Sequence, residues 1–332
     1  MTVATSAPSN IALIKYMGKL EGQGNQPTNS SLSWTLESLR SFVKITLQSD
    51  WQADQWQPLQ GEGLLDLPLS EKSVSRFLQH FENLKTQFGI QGFFLIQSAN
   101  NFPSDCGLAS SASSFAALTL AATELFAKMG SAKAVELSVM DKADLSRQGS
   151  GSSCRSFFGP WALWFRNGVR PLEFPMQSLH HQVVVVESEA KLVSSSEAHR
   201  RVTSSPRFAG RPERAEERLA NLIQALRSED ENLESWRRAF EICWDEFQDM
   251  HELFETSQPA FSYRTEQSRN VLSVLQDLWQ EQADGPIVTM DAGANIHLLY
   301  RDDQKDLSKK LEKKFASQFK VFSSSLSSGE LK

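Results

Sequence analysis

At 332 residues, with 40% hydrophobic and 22% charged side chains, the chain has an ordinary globular composition and can bury two domain cores or one large one. A formal net charge of −6, with no long Lys/Arg block, argues against nonspecific nucleic-acid binding, so an anionic ligand must be met by a local cationic pocket. Cys106, Cys154 and Cys243 are odd in number, widely spaced and lack a C-x-x-C pair, which reads as free thiols in a reducing compartment. No basic-then-apolar leader opens the chain, and no apolar stretch approaches the roughly 18 residues of a membrane span. A cytoplasmic protein with no membrane partner is expected.

Residues 1–60 alternate short apolar runs with polar turns, as in Ser41 to Leu47, and predict strands. A helix is expected from about Ser70, because Val74, Phe77, Leu78, Phe81, Leu84 and Phe88 fall on one face. Gly92 to Gln97 predicts a strand leading into a glycine loop. Ala109 to Met129, rich in Ala and Leu, predicts a helix, and Ala134 to Leu145 another. The β-branched run Gln182 to Glu187 has the length of a buried strand. Arg200 to Arg214, polar with two prolines and Gly210, predicts a loop. A long amphipathic helix follows, with Leu233, Trp236, Phe240, Cys243, Phe247, Met250 and Phe254 on its apolar stripe. Pro286 to Met290 and Ile296 to Tyr300 predict adjacent strands around an Asp291 loop. The class is α+β in two domains, 1–187 and 188–332.

Four stretches carry chemistry. In Asn100 to Ala112, Gly107 permits close backbone approach, and the small residues after it open a helix whose free amides can face phosphate. Ser110 and Ser111 add hydroxyls for phosphate or Mg²⁺. The stretch is not a Walker-type loop and offers no P-loop lysine. Its plain alternative is a helix start using small residues for tight packing.

In Asn10 to Lys19, Lys15 and Lys19 fall on one face of a strand unless a turn at Gly18 breaks the alternation. Surface lysines are the usual alternative. Gly149 to Arg155 has the composition of an anion nest, with Ser150, Ser152 and Ser153 assisting backbone amides. Arg155 there can grip a carboxylate or phosphate with two parallel hydrogen bonds. Asp291, between a strand and Gly293, is by itself as well explained by a turn or a cap. The histidines show no metal-ligand spacing such as H-E-x-x-H, and no G-x-S-x-G elbow is present, so neither a protein-built metal site nor a serine hydrolase is indicated.

Taken together, these stretches resemble the diphosphomevalonate decarboxylases of the GHMP kinase superfamily. The matching segments are Ala7 to Lys19, Pro27 to Ser33, Asn100 to Ala112, Arg147 to Ser156, Val193 to Ser196, His251 to Tyr263 and Asp291 to Asn295. The resemblance implies the GHMP-kinase two-domain fold, with a ribosomal-protein-S5-domain-2-like N-terminal domain and a ferredoxin-like-type C-terminal domain. It implies ATP-dependent decarboxylation of mevalonate 5-diphosphate to isopentenyl diphosphate with Mg²⁺, commonly by a homodimer.

By the same resemblance Asp291, Lys15 and Arg155 are catalytic. Asn10, Tyr16, Met17, Gly18, Lys19, Lys72, Ser150, Gly151, Ser152, Ser153, Cys154, Arg155 and Ser196 meet the substrate. Pro103, Gly107, Leu108, Ala109, Ser110 and Ser111 meet ATP, with Mg²⁺ carried on the nucleotide. Within the superfamily a mevalonate 3-kinase or a 5-phosphomevalonate decarboxylase is the alternative, and a non-catalytic ligand-binding regulator is an alternative of another class. The chain departs from the pattern at Met17 for a usual tryptophan, at Leu20-Glu21 for Arg-Asp and at Asp105-Cys106 for two alanines. Ala198-His199 replaces a frequent Gly-Met, and Ala294 replaces a proline.

Overall fold

The computed structural model describes residues 1–22, 24–65, 69–103, 108, 110–187, 191–228 and 233–324. The N-terminal region is not a set of short strands. It is built on two long ones, β1 (Thr2–Ile14) and β2 (Ser31–Gln48), paired antiparallel from Thr2↔Thr46 to Ile14↔Leu32. Their register shifts between Pro8 and Ser9, where proline has no amide to donate to a ladder. β3 (Gln55–Pro58), α1 (Glu71–Phe88) and β4 (Phe93–Asn100) follow. Ser70 caps α1 by accepting from the Ser73 amide, and Gly89 ends it in the left-handed conformation.

Next come α2 (Ser110–Lys128), α3 (Ala132–Val135), α4 (Val139–Gly149), a 3-10 turn at Gly151–Phe157, β5 (Trp161–Phe165) and β6 (Gly168–Leu172). The single helix expected over 134–145 is therefore two. Ser138 and Asp141 form a reciprocal capping box that starts α4 afresh, which ends α3 after one turn. The sheet runs β3-β4-β2-β5-β6, with β1 along β2. Phe77, Phe81 and Leu84 of α1 pack with Val43, Ile45, Phe94 and Ile96 and with α2. Ala112, Ala116, Ala117, Ala121 and Ala122 of α2 are wholly buried, so small residues let this helix lie between sheet and neighbouring helices.

The second sheet begins with β7 (His180–Val185). Then come α5 (Ser195–Arg201), α6 (Arg211–Leu226), α7 (Leu233–Glu255), α8 (Glu266–Gln282), β8 (Ile287–Met290), β9 (Ile296–Tyr300), α9 (Lys305–Ala316) and β10 (Lys320–Ser324). Its order is β10-β7-β9-β8, antiparallel throughout. A boundary near 187 assigns β7 to the first half, yet its hydrogen bonds go to β9 and β10, so the sheets divide between Leu172 and His180.

The loop expected over Arg200 to Arg214 is shorter. α5 and a 3-10 turn (Val202–Ser204) take its start, and Gly210 opens α6 with Pro212 in the first turn. The polar residues that suggested a loop, Arg211 and Arg214, are instead used in ion pairs. On α7 the expected stripe is buried from Trp236 to Phe254, but its first residue, Leu233, is exposed. One core joins Ile11, Leu13, Ile14, Trp34 and Trp161 of the first sheet to Phe240, Phe247, Leu275, Ile287 and Leu298 of the second half. Among the described residues, no helix is long and apolar enough to cross a membrane.

Candidate active site

β1 ends at Ile14 and delivers Lys15 into the seam between the halves. The Lys15 side chain is 2% exposed, and its ammonium donates to the Ala12 carbonyl at 2.6 Å and to Asp291 Oδ1 at 2.7 Å. Its backbone is held as well. The amide donates to Glu246 Oε1 at 2.8 Å, and the carbonyl accepts from Asn29 Nδ2 at 3.0 Å. Asp291 follows the last residue of β8, and its carboxylate stays 26% exposed. Its carbonyl accepts from the Gly293 amide at 2.7 Å and from His251 Nε2 at 3.1 Å. Asn295 fixes the far end of the loop, accepting from the Val186 and Glu187 amides.

Burial works against a charged Asp291, but Lys15 foremost, then His297 and Arg155, outweigh it and hold the carboxyl below its ordinary value. Burial pulls the Lys15 ammonium down, against the pull of Asp291. Burial and then Arg264 depress His251 to about 3, so it is a neutral ring donating from Nε2.

Behind Lys15 stands a charged cluster that sequence reasoning did not find. Arg211 and Glu246 are both wholly buried and pair at 2.5 Å, and Arg218 reaches Glu246 at 3.0 Å and Asp249 at 2.8 Å. Arg214 holds Asp249 at 3.0 Å. A buried carboxylate needs such partners to stay ionised without a large desolvation penalty. Glu246 thereby anchors the Lys15 amide from the other half of the protein.

Arg155, buried on the 3-10 turn, lies close enough to Lys15 and Asp291 to act on the charge of both. It donates from Nε to Asn10 Oδ1 at 3.1 Å and from Nη1 to Ser31 Oγ at 2.8 Å. Asn10 in turn donates to Ser156 Oγ at 2.8 Å. No carboxylate of a described residue lies within ion-pair distance of this guanidinium, so its charge is available to an anion. Lys15, Asp291, Asn10 and Arg155 are thus brought into one neighbourhood.

The turn after Lys15 forms the other end of the cleft. Gly18 has φ +98°, and an added Cβ there would meet the Phe208 ring at 2.8 Å and Thr28 Oγ1 at 2.9 Å. Only glycine fits both conditions. Tyr16 lies against Trp164 and donates to the Asn25 carbonyl at 3.3 Å, and a Cβ on Gly151 would meet its ring at 2.8 Å. Lys19 does not share a face with Lys15. The turn sends it to Asn25 Oδ1 at 2.7 Å, and burial followed by the nearby Arg76 lowers its pKa.

Met17 is buried with Met250, Phe254, Tyr263 and Ala292, the residue after Asp291. In the serine segment, Ser153 Oγ donates to the Ser150 carbonyl at 2.7 Å and accepts from Ser146 Oγ at 2.6 Å. Cys154 is buried, with its thiol pushed up to about 12 by burial, so it is no thiolate. Ser150 and Gly151 are buried, and Ser152 is half-buried with its carbonyl accepting from Asn10. Ser196 and Lys72 are exposed, on α5 and α1. One turn beyond Lys72, Arg76 donates to the Gly149 carbonyl at 2.7 Å, so Arg76 is the α1 cation that reaches the serine segment.

Of the expected nucleotide loop, Gly107 and Ala109 lie outside the described residues. Pro103 is half-buried, and Leu108 packs with Phe102 on Val183 and Val185 of β7. Ser110 and Ser111 occupy the first turn of α2, with Ser111 exposed. Ser9 Oγ donates to the Leu108 carbonyl at 2.5 Å, and Ser41 Oγ contacts Ser113 Oγ at 2.6 Å, fixing this helix start against β1 and β2.

Other residues of the site carried no signal of their own. Asn29 precedes β2 and Ser31 opens it, both in a serine-rich stretch, Arg76 lies on a polar helix face, and His199 is the second residue of a departure from the family pattern. Glu246 and Asp249 could have been suspected, since acids bordering the apolar stripe of α7 need partners.

A family model described as "Diphosphomevalonate decarboxylase-like N-terminal domain" matches residues 7–170. A second, "Mevalonate 5-diphosphate decarboxylase C-terminal domain", matches residues 182–329. The diphosphomevalonate decarboxylase of Aspergillus fumigatus is 31% identical, over 91% of this chain and 78% of its own length. A crystal structure of a mevalonate diphosphate decarboxylase from Legionella pneumophila superposes with a TM-score of 0.88 at 46% identity, covering 97% of this chain and all of that one. The mevalonate diphosphate decarboxylase from Enterococcus faecalis, in a structure concerned with ATP binding mediated by mevalonate diphosphate, gives 0.79 at 27% identity, covering 97% of both chains. The chain belongs to the diphosphomevalonate decarboxylase family.

Proposed function

We propose that the protein catalyses the ATP-dependent decarboxylation of (R)-mevalonate 5-diphosphate, giving isopentenyl diphosphate, ADP, phosphate and CO2. The observation that carries this reading is the contact of a buried lysine with an ionised Asp291 that keeps about a quarter of its side chain exposed, near an Arg155 with no carboxylate partner among the described residues.

Loss of CO2 from a 3-hydroxy acid needs a leaving group on C3, and hydroxide is a poor one. Transfer of the ATP γ-phosphoryl to the tertiary oxygen makes phosphate the leaving group. Asp291 orients that hydroxyl and accepts its proton late in the transfer, since a free carboxylate is too weak a base beforehand. Lys15 keeps Asp291 ionised and counters charge building on the phosphoryl oxygens. Arg155, steadied by Asn10 and Ser31, holds the substrate carboxylate. The C1–C2 bond then breaks, its electrons form the C2–C3 double bond, and phosphate departs from C3.

The turn from Tyr16 to Lys19, the segment from Ser150 to Cys154 and Ser196 meet the diphosphate tail. Arg76 is placed to join them, ahead of Lys72. Pro103 and Gly107 to Ser111 meet the ATP phosphates. Mg²⁺ rides on the triphosphate and neutralises its β- and γ-oxygens, and the Ser110 and Ser111 hydroxyls are hard oxygen donors that suit it. A solved complex of MDDEF holds MVAPP, AMPPCP and magnesium together, which supports this set of ligands. The buried free thiols of Cys154 and Cys243 suit a cytoplasmic setting. The family resemblance supports a homodimer, which light scattering of the purified protein tests.

The deciding experiment supplies ATP with mevalonate carrying zero, one or two 5-phosphates and follows ADP and CO2 together. Equal ADP and CO2 with the diphosphate supports the reading. ADP without CO2 makes the protein a 3-kinase, and preference for the monophosphate reassigns the substrate.

A further inference from the structure

His199 lies on α5, in the second half, yet its ring closes over the turn that follows β1. Its Nδ1 accepts from the Gly18 amide at 3.1 Å. A backbone amide can only donate, so Nδ1 carries no proton and the proton of a neutral ring sits on Nε2. Protonating Nδ1 would set two N–H groups against each other. Burial foremost, then Lys19 and Arg155, depress the ring to about 3, which agrees with this tautomer.

The ring packs at a tilt of 39° on Tyr16, with centroids 4.3 Å apart, and Tyr16 is backed by Trp164 at 4.5 Å. His199 is half-buried, and no described residue accepts from its Nε2. Lys19 and Arg155 both act on it, which places the ring among the cations of the cleft. A neutral imidazole with one edge fixed to backbone and the other edge an unused donor beside two cations is suited to a phosphate oxygen.

We propose that His199 is a substrate-binding residue whose Nε2–H donates to the 5-diphosphate while its Nδ1 holds the Gly18 turn that the same tail contacts. This rests on the substrate reading above. It also gives the Ala198-His199 departure a function, because an aliphatic or thioether side chain at 199 could neither accept from Gly18 nor donate to phosphate.

Two variants separate the two edges of the ring. In His199→Asn the amide oxygen can replace Nδ1 toward Gly18, but nothing replaces the distal donor. In His199→Gln the side-chain amide replaces the distal donor and gives up Gly18. Mevalonate 5-diphosphate is titrated calorimetrically into each protein without nucleotide. The expected loss of affinity is roughly 10–100-fold for His199→Asn, as for a hydrogen bond to a charged group, and about 2–10-fold for His199→Gln, as for a neutral one. The KM for ATP is expected to stay unchanged in both.

Equal affinity in all three proteins, or the larger loss in His199→Gln, overturns the proposal. An unvaried protein that binds no mevalonate 5-diphosphate overturns the substrate reading itself. Should either variant fail to fold, ¹⁵N NMR of the unvaried protein decides. A protonated Nε2 that shifts on adding the substrate supports the role, and one that does not respond overturns it.

Discussion

Lys15 and Asp291 meet at 2.7 Å although 276 positions separate them in the chain. The contact is asymmetric in a useful way. The lysine is sealed from solvent, whereas the aspartate keeps about a quarter of its side-chain surface open to solvent. The carboxylate is thus the member of the pair that can touch a reactant, and the ammonium is the foremost of the groups that favour its charge.

Replacing Asp291 by Asn removes the proposed proton acceptor and keeps the shape. Turnover is expected to fall by at least the 10²–10⁴ or so attributed to a positioned base, with nucleotide binding retained. Release of ADP and CO2 and titration with a fluorescent ATP analogue check the two halves. Normal turnover would remove Asp291 from the mechanism.

Under the proposed mechanism, Lys15 sets where activity is lost in acid. Asp291 must be ionised, so activity is present above its folded pKa and falls as pH drops through it; that pKa lies below the ordinary carboxylate value. Lys15→Met removes the largest favourable influence and leaves burial, which pushes the other way. The acid limb of kcat/KM should move to higher pH in this variant. A limb that stays in place would show that another group titrates there.

Arg155→Lys keeps a positive charge but cannot span Asn10 and Ser31 while offering a further N–H. The KM for mevalonate 5-diphosphate is expected to rise by roughly 10–100-fold, with the KM for ATP unmoved. Steady-state kinetics with each substrate varied in turn makes the test.

Arg211→Met leaves the buried Glu246 carboxylate without its closest partner. The free energy of unfolding should fall by about 3–5 kcal/mol, the usual consequence of breaking a buried pair from one side. Urea titration followed by far-ultraviolet circular dichroism measures it. A midpoint unchanged from the parent would mean that Arg218 alone suffices for Glu246.

Gly18→Ala combines a positive φ with a Cβ pressed on Phe208 and Thr28. A loss of at least about 1 kcal/mol is expected, because both backbone and packing disfavour the methyl group. Thermal unfolding of the variant beside the parent is sufficient to see it.

The sequence made the strands and helices legible wherever one physical preference dominated. The apolar face of α1 and the β-branched run of β7 were of this kind. It misleads where polar composition reads as a loop. Arg211 and Arg214 look solvent-seeking in a line of text, but their partners lie a helix away, on α7. The helix expected over 134–145 broke at Ser138, whose capping box with Asp141 was there to be read. In the site, Lys15, Asp291 and Arg155 stood out because several motifs together matched a family pattern; none was distinctive alone. Glu246, Arg76 and His199 stayed hidden because their importance arises from which helix passes over the cleft, and that is fixed by tertiary packing.

The anchoring of the Lys15 amide by Glu246 also bears on synthesis. A ribosome releases Lys15 long before α7 exists, so on the nascent chain its amide has no Glu246 to donate to and its ammonium no Asp291 to pair with. The carboxylate that will hold the backbone and the acid that will face the side chain arrive in the last third of translation. The catalytic centre therefore cannot assemble while the first half folds by itself; it closes only once the C-terminal half has docked.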